Sequence, residues 1–258
     1  MTTWLPCPHA GDYAFLDADE VRAQWPRLHA LDAEPLPRGE AALAAWALLH
    51  AGQFERAEAA GLAAGVEGLS VANRAATAHA TLVEPGEKAR LALLQRVHLR
   101  GRQHAALAPL HPNAWFWQGY ALARYAQGIH VARALAQGLG TQVRAALEMT
   151  LMLAPGHALA HAALGLFHAE VIDKVGPLVG AMTYGARAET ALHHLREAGR
   201  LAPDSAAVMI ARANAVVMLE GEARLAEAAR LQEQAAAVTA RDAVERLWVE
   251  LARANLTL

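Results

Sequence analysis

The stretch from Leu147 to His168 reads LEMTLMLAPGHALAHAALGLFH, and it decides the fold. A run of apolar residues at helical spacing ends at Pro155, and a second run begins directly after it. Because proline cannot continue a helix interior, Pro155 marks a boundary between two helices. The same order of events recurs at Pro203. A boundary that recurs in this way predicts a chain built from helical repeats.

The composition supports an all-α fold. Apolar residues make up 55% of the 258 residues, and Ala and Leu dominate them. Both are strong helix formers, whereas the strand-favouring residues Ile, Thr, Tyr and Phe are scarce. The net charge of -2 argues against a generally cationic nucleic-acid binder, so we expect no specific nucleic acid partner. The single cysteine, Cys7, excludes an internal disulfide framework and suits a reducing compartment.

The amino terminus indicates a cytoplasmic protein. The opening MTTWLPCPHAGDYAF lacks the basic start and the apolar run of a secretory signal. Two uncharged windows of 21 residues exist, Gln103 to Ala123 and Met149 to Ala169. Proline and polar side chains interrupt both windows, so the sequence predicts no membrane span.

Landmark residues indicate the type of repeat. One unit shows the order of a tetratricopeptide-type helical pair, in Pro155, Leu164, Gly165, Ala191, Leu195, Ala198 and Pro203. The boundary prolines Pro112, Pro155 and Pro203 are 43 and 48 residues apart, whereas the standard repeat has about 34 residues. The excess lies between the two helices of each pair, in insertions at residues 128–140 and 173–185.

We therefore predict two parts. Residues 1–39 form an acidic, proline-rich lead-in with one short helix, which we place from Asp17 to Leu31. Residues 40–258 form an α-solenoid of about five tetratricopeptide-like hairpins with a C-terminal capping helix. We expect Ser70 and Asn113 to be N-caps. The hairpins are predicted at about 40–65, 70–107, 112–154, 156–202 and 204–238, and the cap at 240–256.

Four segments carry a family resemblance. They are AWFWQGYALA (114–123), VRAALEMTLMLAPGHALAHAALGLFHAEV (143–171), ALHHLREAGRLAPDS (191–205) and TARDAVERL (239–247). With the two insertions, they resemble the tetratricopeptide-like proteins of the regulator of microtubule dynamics family. More loosely, they are similar to the T-component proteins associated with tripartite periplasmic transporters. The resemblance extends from Pro112 to the end of the chain, and it implies a scaffold or adaptor with no established chemistry.

A groove for a partner is predicted on the third hairpin. Trp117, Tyr120 and Arg124 follow one helical stripe, and Arg133 and Arg144 add positive charge. The range 86–145 carries eight Lys and Arg residues against one Glu, so an acidic peptide, an anionic ligand or RNA would suit it. The competing interpretation is that the aromatic stripe belongs to the core and that the acidic lead-in balances the positive charge.

Three histidines form an alternative site. His157, His161 and His168 share one helical face by their spacing, and two imidazoles at i and i+4 can bind zinc. The competing interpretation is packing, because His161 occupies a position where the repeat usually has a large buried residue. Ser70 and Ser205 lie in no nucleophile motif. We predict no catalytic residue and no cofactor.

The sequence thus predicts a non-enzymatic scaffold or adaptor that binds a peptide or protein partner in a concave helical groove. A homo-oligomer is compatible with this function. The alternative is a helical-repeat protein that binds a small ligand or a metal, with the insertions as a lid. Two questions stay open: whether the lead-in fills the groove, and whether the insertions fold over neighbouring helices or face a partner.

Overall fold

The structure is a computed structural model that describes residues 4–13 and 17–257. Within these two ranges the chain is helical and contains no strand, which confirms the predicted all-α class. No helix in the described part of the chain is both long enough and apolar enough to span a bilayer. The predictions for residues 1–3, 14–16 and 258 lie outside the described residues.

The helices follow one another with short connections. Two single-turn 3-10 helices, Gly65–Gly68 and Gly221–Arg224, lead directly into the α-helices after them. The α-helices are α1 (Ala18–Leu28), α2 (Glu40–His50), α3 (Phe54–Ala63), α4 (Leu69–Leu82), α5 (Glu87–Leu107), α6 (Pro112–Gln127), α7 (Val131–Ala136), α8 (Leu139–Leu153), α9 (Ala158–Val175), α10 (Pro177–Tyr184), α11 (Ala188–Leu201), α12 (Ala206–Glu220), α13 (Leu225–Ala236) and α14 (Ala243–Asn255).

The helices pack as pairs in chain order. The pairs are α2 with α3, α4 with α5, α6 with α8, α9 with α11, and α12 with α13. Each pair also contacts the next pair along the chain. The largest fully buried side chains, which include Trp46, Leu94, Phe116, Leu147 and Leu164, lie in these interfaces. One hairpin cannot bury both of its faces, so each neighbour supplies part of the core.

Glycine allows two of these pairs to approach closely. A Cβ atom at Gly165 would lie 2.7 Å from Cγ of Leu195 and 3.0 Å from the carbonyl oxygen of Ala191. A Cβ atom at Gly119 would lie 2.9 Å from Cβ of Ala146. Such contacts are too short for a real side chain, so α9 with α11 and α6 with α8 pack at a distance that requires glycine.

The two insertions fold over neighbouring helices, and each contains a short helix, α7 or α10. Their ends meet, because the ring of Tyr184 packs on Gly140 and Nη1 of Arg144 donates to the carbonyl oxygen of Tyr184 at 2.8 Å. The outer face of α10 stays in solvent, where Leu178 is 73% exposed and Met182 is 80% exposed.

The lead-in helix α1 has the predicted apolar face, since Val21, Trp25 and Leu28 are buried. The side chain of Asp17 accepts a hydrogen bond from the backbone N–H of Glu20, which caps the helix. The helix ends at Leu28 rather than at Leu31, and the chain then continues as the plug segment, residues 29–34.

The two predicted N-caps are wrong. Ser70 lies inside α4, where its hydroxyl donates to Oε2 of Glu34 at 2.6 Å. Asn113 lies inside the first turn of α6, where its amide donates to the carbonyl oxygen of Asp32 at 2.8 Å. Both side chains are thus engaged by the plug segment, which comes from a distant part of the sequence.

Candidate functional site

A cavity of about 330 Å³ lies on the inner side of the stacked pairs, and we call it the inner cavity. The first helices of four pairs, α4, α6, α9 and α12, contribute to its wall, and α14 contributes as well. Helix α14 also packs against α2 and α4, so the last helix reaches the first pairs of the chain. Helix α14 thereby closes part of the space that the first helices of the pairs line.

A buried hydrogen bond joins the first pair to the last helix. The Nδ1 of His50, the last residue of α2, donates to Oδ2 of Asp242 at 2.7 Å. Burial lowers the pKa of His50 to about 4, against the opposing effect of Asp242. Burial alone would raise the pKa of Asp242, but the hydrogen bond and charge of His50 and the charge of Arg74 bring it to about 2. At neutral pH a neutral imidazole therefore donates to an ionised carboxylate.

The middle of the cavity wall is aromatic and aliphatic. Phe116, Trp117 and Tyr120 pack against one another, with ring centroids 4.7 to 6.1 Å apart. Trp117 is only 5% exposed. Helix α14 contributes Trp248 and Leu251 to the same cavity. A wall of this kind favours an apolar occupant, because burial of apolar surface is the main source of favourable free energy in such cavities.

One end of the cavity carries the polar mouth, which consists of Arg124, Gln127 and Glu170. Nη1 of Arg124 donates to Oε1 of Gln127 at 3.0 Å, and the amide nitrogen of Gln127 donates to Oε1 of Glu170. The Arg124 guanidinium also lies over the ring of Tyr120, 5.7 Å from its centroid. Burial raises the pKa of Glu170, and Lys174 and Arg124 partly offset this effect. The three side chains are partly exposed, so this end meets solvent.

The plug segment lies at the opposite end of the cavity. Asp32 is 1% exposed and forms an ion pair with Arg74, whose side chain lines the cavity. The Nδ1 of His29 lies 3.0 Å from Oδ1 of Asp32. Burial alone would raise the pKa of Asp32, but the charges of Arg74 and His29 hold it well below its ordinary value. The lead-in thus occupies one end of the cavity, which answers one of the two open questions.

A second acidic residue of the plug segment fixes its position. The carboxylate of Glu34 accepts from the hydroxyl of Ser70 at 2.6 Å and lies 3.3 Å from Nε2 of His111. The backbone carbonyl of Glu34 accepts from the indole N–H of Trp25 at 2.9 Å. The acidic lead-in therefore pairs with α4 and the start of α6. Within the basic range, Arg96 and Arg100 instead pair with Glu58, at 3.0 and 2.9 Å.

A series of hydrogen bonds between uncharged groups links the plug segment to α9. Nδ1 of His157 accepts from the backbone N–H of Ala160 at 3.0 Å, so its Nε2 carries the proton. That Nε2–H donates to Oδ1 of Asn113 at 3.0 Å, and the amide of Asn113 donates to the carbonyl of Asp32. His157 is fully buried, and burial lowers its pKa to about 4.

The residues predicted to form the partner groove separate into two groups. Trp117, Tyr120 and Arg124 lie together on the wall of the inner cavity. Arg133 lies on the exposed part of α7, and Arg144 lies on α8, where it pairs with Glu148 at 2.7 Å. Neither of these two arginines lines the cavity, because α7 and α8 contribute no residue to its wall.

The three predicted metal ligands do not converge as their spacing suggested. His157 is the N-cap of α9 and is directed at α6, so both of its ring nitrogens are used. His161 is directed instead at α11, with its Nδ1 2.9 Å from Nδ1 of His194. The ring of His168 lies 6.4 Å from that of His194. In residues 4–13 and 17–257, no group of three or more His, Cys, Asp or Glu is placed to hold a metal ion.

Sequence reasoning missed several cavity residues. Gln127 and Glu170 were not predicted as cavity residues, and α14 was predicted as a capping helix. One signal was present in α14: Val244, Trp248 and Leu251 lie at i, i+4 and i+7, in addition to a second buried face. A terminal cap needs only one apolar face, so the second face indicated a further contact.

Comparison with known proteins does not assign the chain to a family. No protein-family model matches the chain, and no curated protein matches it either.

Proposed function

We propose that the chain is a non-enzymatic binding protein that acts in the cytoplasm. In this proposal its helical pairs form an α-solenoid of about five tetratricopeptide-like hairpins, related to the regulator of microtubule dynamics family. The packing of pairs in chain order and the glycine crossings at Gly119 and Gly165 support the repeat architecture. The second half of the chain carries the residues of the resemblance.

The bound molecule in this proposal is a small, largely apolar ligand in the inner cavity. The observation that carries it is the cavity of about 330 Å³ that α14 forms with the first helices of the pairs, and which opens to solvent at the polar mouth. Small-molecule sites span about 300–1,000 Å³ and are mostly apolar with a few polar groups. An extended peptide would need an open groove across the first helices of the pairs, and the plug segment and α14 already occupy that route.

Most charged side chains that face the cavity are paired with one another, which favours a binding function over a catalytic one. Arg74 pairs with Asp32, and Arg241 pairs with Glu245. Asp242 accepts from a neutral His50. Groups that satisfy one another in this way hold the wall in place, which suits a binding site.

The test is uptake of an uncharged fluorescent probe, N-phenyl-1-naphthylamine, by the full-length protein. We expect one probe per chain and a blue-shifted emission. Ala211 lines the cavity, so Ala211→Phe should fill part of the volume and weaken probe binding at least tenfold. Ala44 is exposed on α2, and Ala44→Phe is the matched control. Equal binding by both variants, or no binding by the folded wild type, would refute the proposal.

A protein partner remains a second proposal, and one observation favours it. The insertion helix α10 exposes Leu178 and Met182 to solvent at 73% and 80%. Apolar side chains exposed side by side often belong to an interface with another protein or a second copy of the chain. In affinity capture, Leu178→Asp with Met182→Asp should abolish partner recovery, and Arg133→Glu on α7 serves as the charge control. Unchanged recovery by the double variant would exclude α10 as the interface.

A further inference from the structure

The polar mouth contains a cation that the rest of the cavity does not neutralise. Three arginines line the inner cavity: Arg74, Arg124 and Arg241. Arg74 and Arg241 each form an ion pair with a carboxylate, whereas Arg124 forms none among residues 4–13 and 17–257. Its guanidinium donates to the neutral amide of Gln127 and lies over the ring of Tyr120. These contacts orient the guanidinium without balancing its charge.

Gln127 keeps the cation apart from the nearest acid. Its Oε1 accepts from Arg124 while its amide nitrogen donates to Glu170, so the amide lies between the two charged side chains. Burial raises the pKa of Glu170, and the charges of Lys174 and Arg124 partly offset this effect. The side chain of Arg124 therefore keeps the capacity to bind an anion at the mouth.

The apolar wall continues inward from this cation. Arg124 and Phe116 both lie on the inner face of α6, eight residues apart, which corresponds to a depth of about 12 Å at a rise of about 1.5 Å per residue. Leu166, Trp248 and Leu251 also line this space. At the far end, Asp32 and Arg74 are paired and buried, so a second charged group would find no partner there.

We propose that the inner cavity binds a single-chain amphiphile with a carboxylate head, whose acyl chain lies along α6 and whose head pairs with Arg124. This inference rests on the proposed function and specifies its ligand. The acyl chain replaces water at the aromatic wall. The carboxylate accepts hydrogen bonds from the guanidinium, which a neutral or cationic head cannot do.

The test compares decanoate, decanol and decylamine, which share one chain length and differ in head charge. Isothermal titration uses the full-length protein at concentrations below micelle formation. We expect decanoate to bind about tenfold more tightly than decanol, and decylamine to bind more weakly than either. In Arg124→Gln the advantage of decanoate should disappear, while decanol should bind as in wild type. Arg133→Gln removes the same charge from the exposed helix α7 and should change nothing.

A second series varies the chain length from hexanoate to tetradecanoate. Each added methylene should tighten binding about fourfold until the cavity is full, after which the affinity should level off. Equal affinities for the three heads, or tightest binding of decylamine, would overturn the assignment of Arg124 while leaving the proposed function intact. Failure of all three compounds to bind to a protein that also excludes the uncharged probe would overturn both.

Discussion

The ion pair between Asp32 and Arg74 allows a quantitative prediction about the lead-in. Asp32 is 1% exposed and Arg74 is 7% exposed, so both charges are buried. In Asp32→Asn the shape is kept, but the guanidinium of Arg74 stays in a buried site without its counter-charge. Loss of one partner of a buried pair costs about 3–5 kcal/mol. In a chain of this size, that corresponds to a melting temperature lower by roughly 6–20 °C.

The assay is urea unfolding followed by far-ultraviolet circular dichroism, with a double-mutant cycle. In the double variant with Arg74→Met both charges are absent, so it should recover much of the lost stability. Asp19, which is 89% exposed and pairs with Arg22, provides the control. Asp19→Asn should change the free energy of unfolding by less than about 1 kcal/mol. The proposed role of this ion pair would be refuted if Asp32→Asn lowered the free energy of unfolding by less than about 1 kcal/mol. It would also be refuted if the double variant were no more stable than Asp32→Asn alone.

Three further predictions follow from the buried histidines, the glycine crossing and the cavity. The pKa of His157 falls from 6.5 in the unfolded chain to about 4 in the folded protein, so folded stability is complete above pH 6.5 and declines as the pH falls towards 4. His157→Asn keeps an N-cap but cannot titrate, so the pH dependence measured by urea unfolding should shrink by roughly 3 kcal/mol. A variant profile identical to that of wild type would contradict this. Gly165→Ala should destabilise by about 1–3 kcal/mol because its Cβ would clash with Leu195, whereas Gly156→Ala, with open space around it, should be nearly neutral in thermal melts. Equal effects of the two changes would argue against close packing of α9 and α11. Ala211→Phe should leave the melting temperature within a few degrees while ligand binding is lost; an unfolded variant would show that the cavity is too tight to accept the ring.

The all-α class was predictable because local signals in the sequence agree with the packing. Pro155 and Pro203 each follow the end of a helix, α8 and α11, because proline lacks a backbone donor and clashes with the preceding turn. Gly165 was also found from the sequence, because it is one of the landmark residues of a tetratricopeptide-type helical pair. The stripe of Trp117, Tyr120 and Arg124 was found for a similar reason, as the helical period places these side chains on one face.

The parts that sequence reasoning missed depend on contacts between distant residues. Ser70 and Asn113 have the chemistry of N-caps, but Glu34 and Asp32 of the plug segment compete for their hydrogen bonds. His157 was grouped with other histidines by spacing, although its position as an N-cap turns it towards α6. Neither competitor can be recognised from the residues near these positions.

The hydrogen bond from His50 to Asp242 joins residues 192 positions apart in the sequence. We expect it to change the way in which the protein unfolds. In an open helical array each unit touches only its neighbours, so the end units fray first and stability falls off towards both termini. In this chain, α2 near the start and α14 near the end are joined by this hydrogen bond and pack against each other. Amide hydrogens of α2 and α14 should exchange at the same slow rate as those of the central helices, and deletion of α14 should loosen α2 as well as α13. The contact between α2 and α14 should therefore make the stacked helices unfold as one cooperative unit.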